Sequence, residues 1–384
     1  MKLIFRIQRS NRYSLIPLIS AVKDRMKDVQ IFLAKSTQEV LQVEPPAVVA
    51  YSFMSFDLDD ISEEISHLRD VDYTLIAGGP HITARPFESL KMGFEHVFVG
   101  DGEENLVDFL KGEKKTVFDG LTNRIDLDDY PPFCPELDLF MPVEITRGCA
   151  FECAYCETPL IGGKKPRHRS IESIVHYCKI GLTKNRYIAR FISPNSFGYG
   201  STDGVRPNVQ AVDRLLFELK RIGMKEIYFG TFPSDVRPES VDNEILKVIK
   251  KYVNNRSIII GAQSGSKRVL EKIKRTHSVE TLLKAVDTIL ANGFIPHVDF
   301  IFGFPFETDE DRYQTLELIN KLIQMGCKIH AHTFMPLPGT ALERVGSAII
   351  PEWFRKKIAQ LSSQGKLDGY WEKQQTLSQR LIGR

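Results

Sequence analysis

Almost from its first residue the chain repeats one unit: a short apolar run followed by a longer amphipathic stretch. Apolar runs of strand length, bounded by turn residues and separated by helical periodicity, predict βα units. Those units in turn predict parallel sheets, because parallel strands can be joined only by a crossover long enough to hold a helix. In the first part the predicted strands are residues 3–7, 29–33, 47–53, 73–77 and 95–99, with helices near 15–25, 58–68 and 103–110. This predicts an α/β, doubly wound domain of the Rossmann or flavodoxin-like kind over residues 1–112, with ligands expected beyond the carboxyl ends of its strands.

Residues 113–140 break the pattern. The segment DLDDYPPFCPELD is rich in proline and acid and keeps no period, so it reads as a linker. From residue 141 the alternation resumes. Strands are predicted at 141–146, 187–193, 226–231, 257–262, 297–302 and 328–334, with helices at 171–179, 209–222, 239–252, 279–292 and 310–325. Six units fall short of a closed eight-unit barrel, so residues 141–342 are expected to form an open (β/α)6 partial barrel of TIM type. Its active site belongs at the carboxyl ends of its strands. Residues 343–384 read as a charged helical extension.

Bulk properties narrow the partners. The 51 basic and 49 acidic residues leave a formal charge of +2, so no global field favours nucleic acid or an anionic membrane. No run approaches the ~18 apolar residues of a membrane span. The opening MKLIFRIQRSNR breaks its apolar run with arginines and offers no secretory cleavage site. A cytoplasmic monomer is the expectation. Six cysteines in a chain of 384 residues do not make a disulfide framework. Cys134, Cys178 and Cys327 are scattered and read as small buried hydrophobes.

The other three fall in EITRGCAFECAYCETP, where Cys149, Cys153 and Cys156 are spaced C-x3-C-x2-C. Thiolates ligate iron–sulfur clusters, and a 4Fe–4S cluster with only three protein thiolates keeps one iron open, as a catalytic rather than structural centre requires. The competing reading is zinc, with a fourth ligand such as His168. Zinc favours paired C-x2-C modules, and there is no second pair.

This loop resembles that of the radical S-adenosylmethionine superfamily, and further segments match in the same order. The resemblance implies that Cys149, Cys153 and Cys156 hold a 4Fe–4S cluster whose open iron binds the amino and carboxylate groups of S-adenosylmethionine. One electron, from a donor of flavodoxin or ferredoxin type, then releases a 5′-deoxyadenosyl radical. By the same resemblance Tyr155 lies near the adenine. Ser234 and Arg237, in IYFGTFPSDVRPE, contact the ribose or methionine part. Gln263 and Ser264, in IIIGAQSGS, line the cofactor. Gln263 stands where related members commonly have Glu, keeping an acceptor and losing the charge. The segments DFIFGFPFET and FMPLPGT resemble the family's last strands and loops.

A doubly wound domain ahead of such a barrel resembles the cobalamin-binding group of the superfamily. The implied corrin loops are those after each strand: Tyr13 after the first; Ser52, Phe53 and Met54; Gly78, Gly79, Pro80 and His81; Gly100, Asp101, Gly102 and Glu103. Glycines there would let backbone approach a large ligand. The mutase-type motif D-x-H-x-x-G, which supplies a histidine to cobalt, is missing. The corrin is therefore expected base-off without histidine, His81 being a structural or tail-contact residue and Tyr13, Arg9 and Met54 neighbours of the lower face. The implied function is methylation of an unactivated sp3 carbon on a peptide or protein residue, for example a glutamine of methyl-coenzyme M reductase, or on a small molecule. Radical cyclisation or rearrangement without methyl transfer, and a non-catalytic sensing module, are the alternatives.

Overall fold

Strand β1 (Lys2–Arg6) carries Leu3, Ile4 and Phe5, all fully buried. A strand covered on both faces is what a parallel sheet between two helical layers demands. The computed structural model describes residues 1–381. Five further strands follow: β2 (Gln30–Ala34), β3 (Ala47–Ser52), β4 (Tyr73–Gly78), β5 (His96–Gly100) and β6 (Val117–Gly120). All pair in parallel, in the order β2-β1-β3-β4-β5-β6. The order reverses between β1 and β3, and a doubly wound sheet opens its ligand crevice at that switch. Asn11 closes the base of the crevice. Its Nδ2 donates to the carbonyls of Arg6 at 2.9 Å and Ser52 at 3.0 Å, while its Oδ1 accepts from the Gln8 amide at 2.8 Å.

Strand β6 corrects the linker expectation at its start. Residues 117–120 pair with β5, and Phe118 stacks on Phe98 with ring centroids 4.7 Å apart. The remainder, through residue 140, is irregular with two short 3-10 turns.

The second unit begins with β7 (Val143–Glu144) and a small antiparallel pair, β8 (Thr146–Arg147) with β9 (Arg167–His168). Strands β10 (Ile188–Ile192), β11 (Glu226–Tyr228), β12 (Ser257–Gln263), β13 (Ile295–Phe302) and β14 (Lys328–Thr333) complete the six predicted positions. They form two parallel sheets, β11-β10-β7 and β12-β13-β14, the second extended at its edge by one more strand, β15 (Leu367–Asp368). Backbone bonds from Ile259 N to the Gly230 carbonyl and from Val236 N to the Ile259 carbonyl, both 2.9 Å, join them into one open arc. The last strand, β15 (Leu367–Asp368), comes from the expected helical extension. It lies between helices Glu352–Ser363 and Trp371–Arg380 and pairs with β14.

Along β13, Val298, Phe300 and Phe302 are buried under the helices, while His297, Asp299 and Ile301 alternate onto the half-open inner face. The six described α-helices between residues 171 and 324 each start on a capping side chain; Thr308, for one, accepts from the Asp311 amide, whose carboxylate accepts in return from Thr308 N.

A buried charge cluster ties the two units together. Asp101, at the end of β5, meets Arg124, Arg147 and Arg167, while Arg147 also pairs with Glu103 and Glu144. Burial pushes the Asp101 carboxyl up. Arg147, Arg167 and Arg124 outweigh it and hold the group below the usual carboxylate range.

Candidate active site

Strand β8 delivers the chain to Gly148, whose φ of +91° is open to glycine without strain. A Cβ there would lie 2.6 Å from the Lys165 carbonyl oxygen. The loop that follows is pinned through its backbone. Cys149 N donates to the Gly163 carbonyl at 2.9 Å, Ala154 N to that of Ile273 at 2.9 Å, and Cys156 N to that of Cys153 at 3.0 Å. These ties bring all three thiols to one cavity of 260 Å³, at the carboxyl end of the arc. None is in a disulfide. His168 is elsewhere engaged: Nδ1 contacts Thr146 Oγ1 at 2.9 Å and Nε2 the Ser201 carbonyl at 2.8 Å. The zinc reading thus loses its named fourth ligand.

Two arginines reach Cys153. Arg237 Nη1 lies 3.5 Å and Arg275 Nη1 3.6 Å from its sulfur. Burial raises the Cys153 thiol, but the charges of Arg275 and Arg237 outweigh it and hold the group below the usual thiol range. Burial raises Cys149 and Cys156. Arg237 is itself fixed by Glu239 at 2.8 Å and Thr276 at 3.0 Å, with its guanidinium 3.3 Å from the centre of the Phe151 ring. The Tyr155 ring packs 6.3 Å from Phe304 and forms part of the cavity wall.

The rest of the wall is polar and underpartnered. Ser193 Oγ, Asp235 Oδ1 and the Nε atoms of Arg237 and Arg275 are buried without a hydrogen-bond partner among the described residues, and all four residues line the cavity. A buried polar atom left unpaired costs about 1–3 kcal/mol. Four around one cavity mark the place of a polar ligand with both donors and acceptors, which an amino acid joined to a nucleoside provides. Burial pushes Asp235 up to about 6 and raises Asp299, beside it, well above the usual carboxylate range.

The sequence-predicted residues divide here. The three cysteines, Tyr155, Arg237 and Gln263 all line the cavity. Ser234 does not: it is fully buried and its hydroxyl donates to the Thr231 carbonyl at 3.0 Å, holding the turn that presents Asp235. Ser264 is likewise spent inside, 3.3 Å from Thr315 Oγ1 and accepting from Ser266 N at 3.1 Å. Ser193, Asp235, Arg275 and Asp299 escaped the sequence reading. Asp235 alone carried a usable signal, as the neighbour of Ser234 in the same segment.

Between the two units lies a cleft of 480 Å³. Tyr13, Ser52, Gly78, Gly79, Pro80, Gly100, Asp101, Gly102 and Glu103 line it, as expected of the strand-end loops. Phe53, Met54 and His81 do not line it. Phe53 is buried and stacks on the His81 ring at 5.5 Å, His81 Nδ1 meets Ser55 Oγ at 2.9 Å, and the Met54 side chain is exposed. Gly79 has a structural duty besides its place in the lining. A Cβ on Gly79 would lie 2.6 Å from Ser52 Oγ and 3.0 Å from Phe53 N, so this glycine lets two strand ends meet. Asp101 and Glu103 spend their carboxylates on the arginine cluster.

Residues 143–319 match the model of the Radical SAM superfamily. Among curated relatives, an uncharacterised protein of Methanopyrus kandleri is 24% identical over 355 residues, covering 76% of this chain and 66% of that protein. The tRNA-2-methylthio-N(6)-dimethylallyladenosine synthase of Petrotoga mobilis is 27% identical over 312 residues, covering 76% of this chain and 67% of that one. The chain thus spans about two thirds of the length of these relatives. Among solved structures, the radical S-adenosylmethionine methyltransferase TsrM of Kitasatospora setae, with cobalamin and a 4Fe–4S cluster bound, superposes with a TM-score of 0.67 at 15% identity. It covers 89% of this chain and 77% of that one. The cobalamin-dependent S-adenosylmethionine radical enzyme OxsB gives 0.61 at 15% identity, over 83% of this chain and 51% of that one. The fold is therefore shared with both, and no described helix is long and apolar enough to cross a membrane. With its three-thiol cavity at the carboxyl end of an open arc and its family match over residues 143–319, the second unit of this chain is a radical S-adenosylmethionine domain, which uses an iron–sulfur cluster and S-adenosylmethionine.

Proposed function

We propose that the protein is a cobalamin-dependent radical S-adenosylmethionine methyltransferase acting on an unactivated sp3 carbon. One observation carries this reading: Thr158, Ser193 and Pro194 line both the thiol cavity and the interdomain cleft. Two cofactors seated in the two spaces would face one another across a single partition, with room for a substrate at their junction. When bound, the cluster with S-adenosylmethionine would supply a carbon radical, and the corrin a methyl carrier.

The chain's own residues would do the rest. Cys149, Cys153 and Cys156 hold the cluster, with Arg237 and Arg275 offsetting the thiolate charge of Cys153. Ser193 and Asp235 await the polar groups of S-adenosylmethionine. Tyr155 closes the cavity as an apolar wall. The cleft lining contains no histidine, so no imidazole of that lining would reach the cobalt, and this reading takes the corrin to be base-off as well. The electron would come from a donor of flavodoxin or ferredoxin class. A peptide, a protein residue or a small molecule remains the substrate class on this reading.

The test is anaerobic reconstitution followed by product analysis. About four irons and one corrin per chain are expected, with S-adenosylhomocysteine and 5′-deoxyadenosine formed together when substrate is present. 5′-Deoxyadenosine alone would mark a rearrangement, and nitrogen splitting from an axial base in the reduced corrin's paramagnetic spectrum would end the base-off assignment. The curated tRNA methylthio-synthase relatives favour a second reading, in which RNA is the substrate. Transfer of label from methyl-labelled S-adenosylmethionine into the RNA rather than the protein or metabolite fraction of a cell extract would select it.

A further inference from the structure

Below the thiol cavity the inner face of the arc carries further ligand-type side chains, of which only Asp299 lines that cavity. Strands β13 and β14 read IPHVDFIF and KIHAHT, and their two-residue alternation turns His297, Asp299, His330 and His332 to the same inner face. The parallel register sets Asp299 opposite His330, and β15 then sets Asp368 opposite His330 from the other side. As a result one ligand atom each from His297, His330 and Asp368 lie within 4.8 Å of one another.

We propose that His297, His330 and Asp368 form a binding site for a divalent cation of the zinc class. Two imidazoles and one carboxylate are a ligand set suited to such an ion, and three protein ligands leave a tetrahedral ion one position for water or for a donor group of a molecule in the lumen. Metal–ligand bonds of the lengths zinc makes put neighbouring ligand atoms roughly 3.3–3.5 Å apart in a tetrahedral shell. His297 Nε2 lies 3.4 Å from Asp368 Oδ1. That nitrogen is buried and makes no hydrogen bond among the described residues. An imidazole nitrogen at that distance from a carboxylate oxygen has the spacing of two ligands of a shared ion. His330 Nδ1 contacts the same Oδ1 directly, and cation binding would replace that contact with two metal bonds. His332 packs its ring on His330, with centroids 4.6 Å apart, but its Nδ1 meets Gln374 Nε2 at 3.3 Å and it is not one of the three residues whose ligand atoms gather within 4.8 Å. Asp299, two residues along β13 from His297, lines the thiol cavity, so the ion would sit one side-chain layer beneath the radical site.

The experiment uses the full chain with Cys149→Ala, Cys153→Ala and Cys156→Ala combined, so that no cluster thiolate competes. The apoprotein is titrated with Zn2+ by calorimetry and with Co2+ by visible absorption. One Zn2+ per chain is expected, together with a four-coordinate Co2+ spectrum lacking a thiolate charge-transfer band. His297→Ala and His330→Ala should each weaken Zn2+ binding by ~100-fold or more, the upper end of what outer-shell changes do. Asp368→Asn, at a largely exposed side chain, tests the same site with little risk to folding, and thermal melts of each variant identify any that fail to fold. No Zn2+ uptake by the folded parent, or equal uptake by the parent and by folded Asp368→Asn and His330→Ala, overturns the proposal and leaves the trio as a hydrogen-bonded cluster.

Discussion

The thiol cavity and the interdomain cleft share a wall but are built by opposite means. Around the thiols, side chains do the work: two arginines on one sulfur, a raised carboxyl, and four buried polar atoms without partners. In the cleft the loops of the doubly wound sheet offer chiefly backbone, small residues and an apolar floor, and their two acids face arginines of the junction instead of the opening. A cavity built of charged side chains selects its ligand by a few strong contacts, so single substitutions should abolish occupancy. A cleft built of strand ends selects by shape, and its weak points lie where two backbones touch.

The sharpest test of that contrast is also the largest effect. Cys149→Ala, Cys153→Ala or Cys156→Ala should each remove essentially all S-adenosylmethionine cleavage and most reconstituted cluster iron, while corrin uptake, measured by absorbance after gel filtration, stays near that of the parent. Loss of both together would show the two spaces to be one site.

Next in size comes the junction. Asp101→Ala leaves Arg124, Arg147 and Arg167 without their shared carboxylate, and breaking a buried ion pair from one side costs about 3–5 kcal/mol. Chemical denaturation should report a loss of that order. The pH dependence follows from the sign of the shift. A carboxyl held below its unfolded value of ~3.9 contributes stability that is present above that pH and is lost as pH falls through the lower folded value. Wild type should therefore lose junction stability on acidification below pH ~4, and Asp101→Asn should show less of that acid limb. Superimposable acid limbs would falsify the assignment.

How far the sequence discloses each region follows the same division. The cysteine loop is legible because its three thiols fall in one short segment whose spacing is chemically meaningful. Arg275 is not, because folding brings it to Cys153 across 122 residues and no local pattern marks it. Strand alternation locates nearly every element of both sheets, since burial on one or both faces writes itself into apolar spacing. Residues 117–120 escape because a four-residue edge strand flanked by lysines and a turn has too few apolar positions to show a period. Ser234 and Ser264 mislead for a different reason: a serine beside a pocket is as useful for tying a turn as for meeting a ligand, and only the fold decides.

The cleft itself makes a smaller, paired prediction. Gly79→Ala forces a Cβ to 2.6 Å from Ser52 Oγ at a φ of +98°, a conformation that costs a non-glycine residue about 1–3 kcal/mol. At Gly78 the nearest atoms to an added Cβ are 3.6 Å away, ordinary contact, and φ is not positive. Gly79→Ala should thus lower both stability and corrin uptake, and Gly78→Ala should leave stability within about 0.5 kcal/mol of the parent. Equal effects at the two neighbours would remove the claim that the cleft depends on strand-end contact.

The smallest expected effect is at Gln263, where backbone and side chain pull in different directions. The residue lines the thiol cavity at a bulge in β12, with φ at +69°. Left-handed backbone costs a side-chain-bearing residue roughly 1–2 kcal/mol relative to its usual regions, so Gln263→Gly should raise folding stability, offset in part by glycine's greater freedom when unfolded. The net gain should be no more than about 1 kcal/mol. The same change removes a neutral acceptor worth about 0.5–1.5 kcal/mol, so S-adenosylmethionine should bind roughly two- to tenfold more weakly. Gln263→Glu keeps the shape and adds a charge. Toward the cofactor's amino group a charge-assisted bond exceeds a neutral one by about 1 kcal/mol, which sets an upper limit near tenfold tighter binding. Asp235 and Asp299 share that cavity and oppose the new carboxylate, while Arg237 and Arg275 favour it. Affinity should consequently stay between unchanged and that limit. Calorimetric affinity and urea midpoints on the same three proteins separate the terms. A Gly variant less stable than the parent would mean that side-chain packing, not backbone strain, governs the position. A Glu variant that no longer binds the cofactor would mean that the amide faces the substrate side of the cavity, where neutrality is what the site requires.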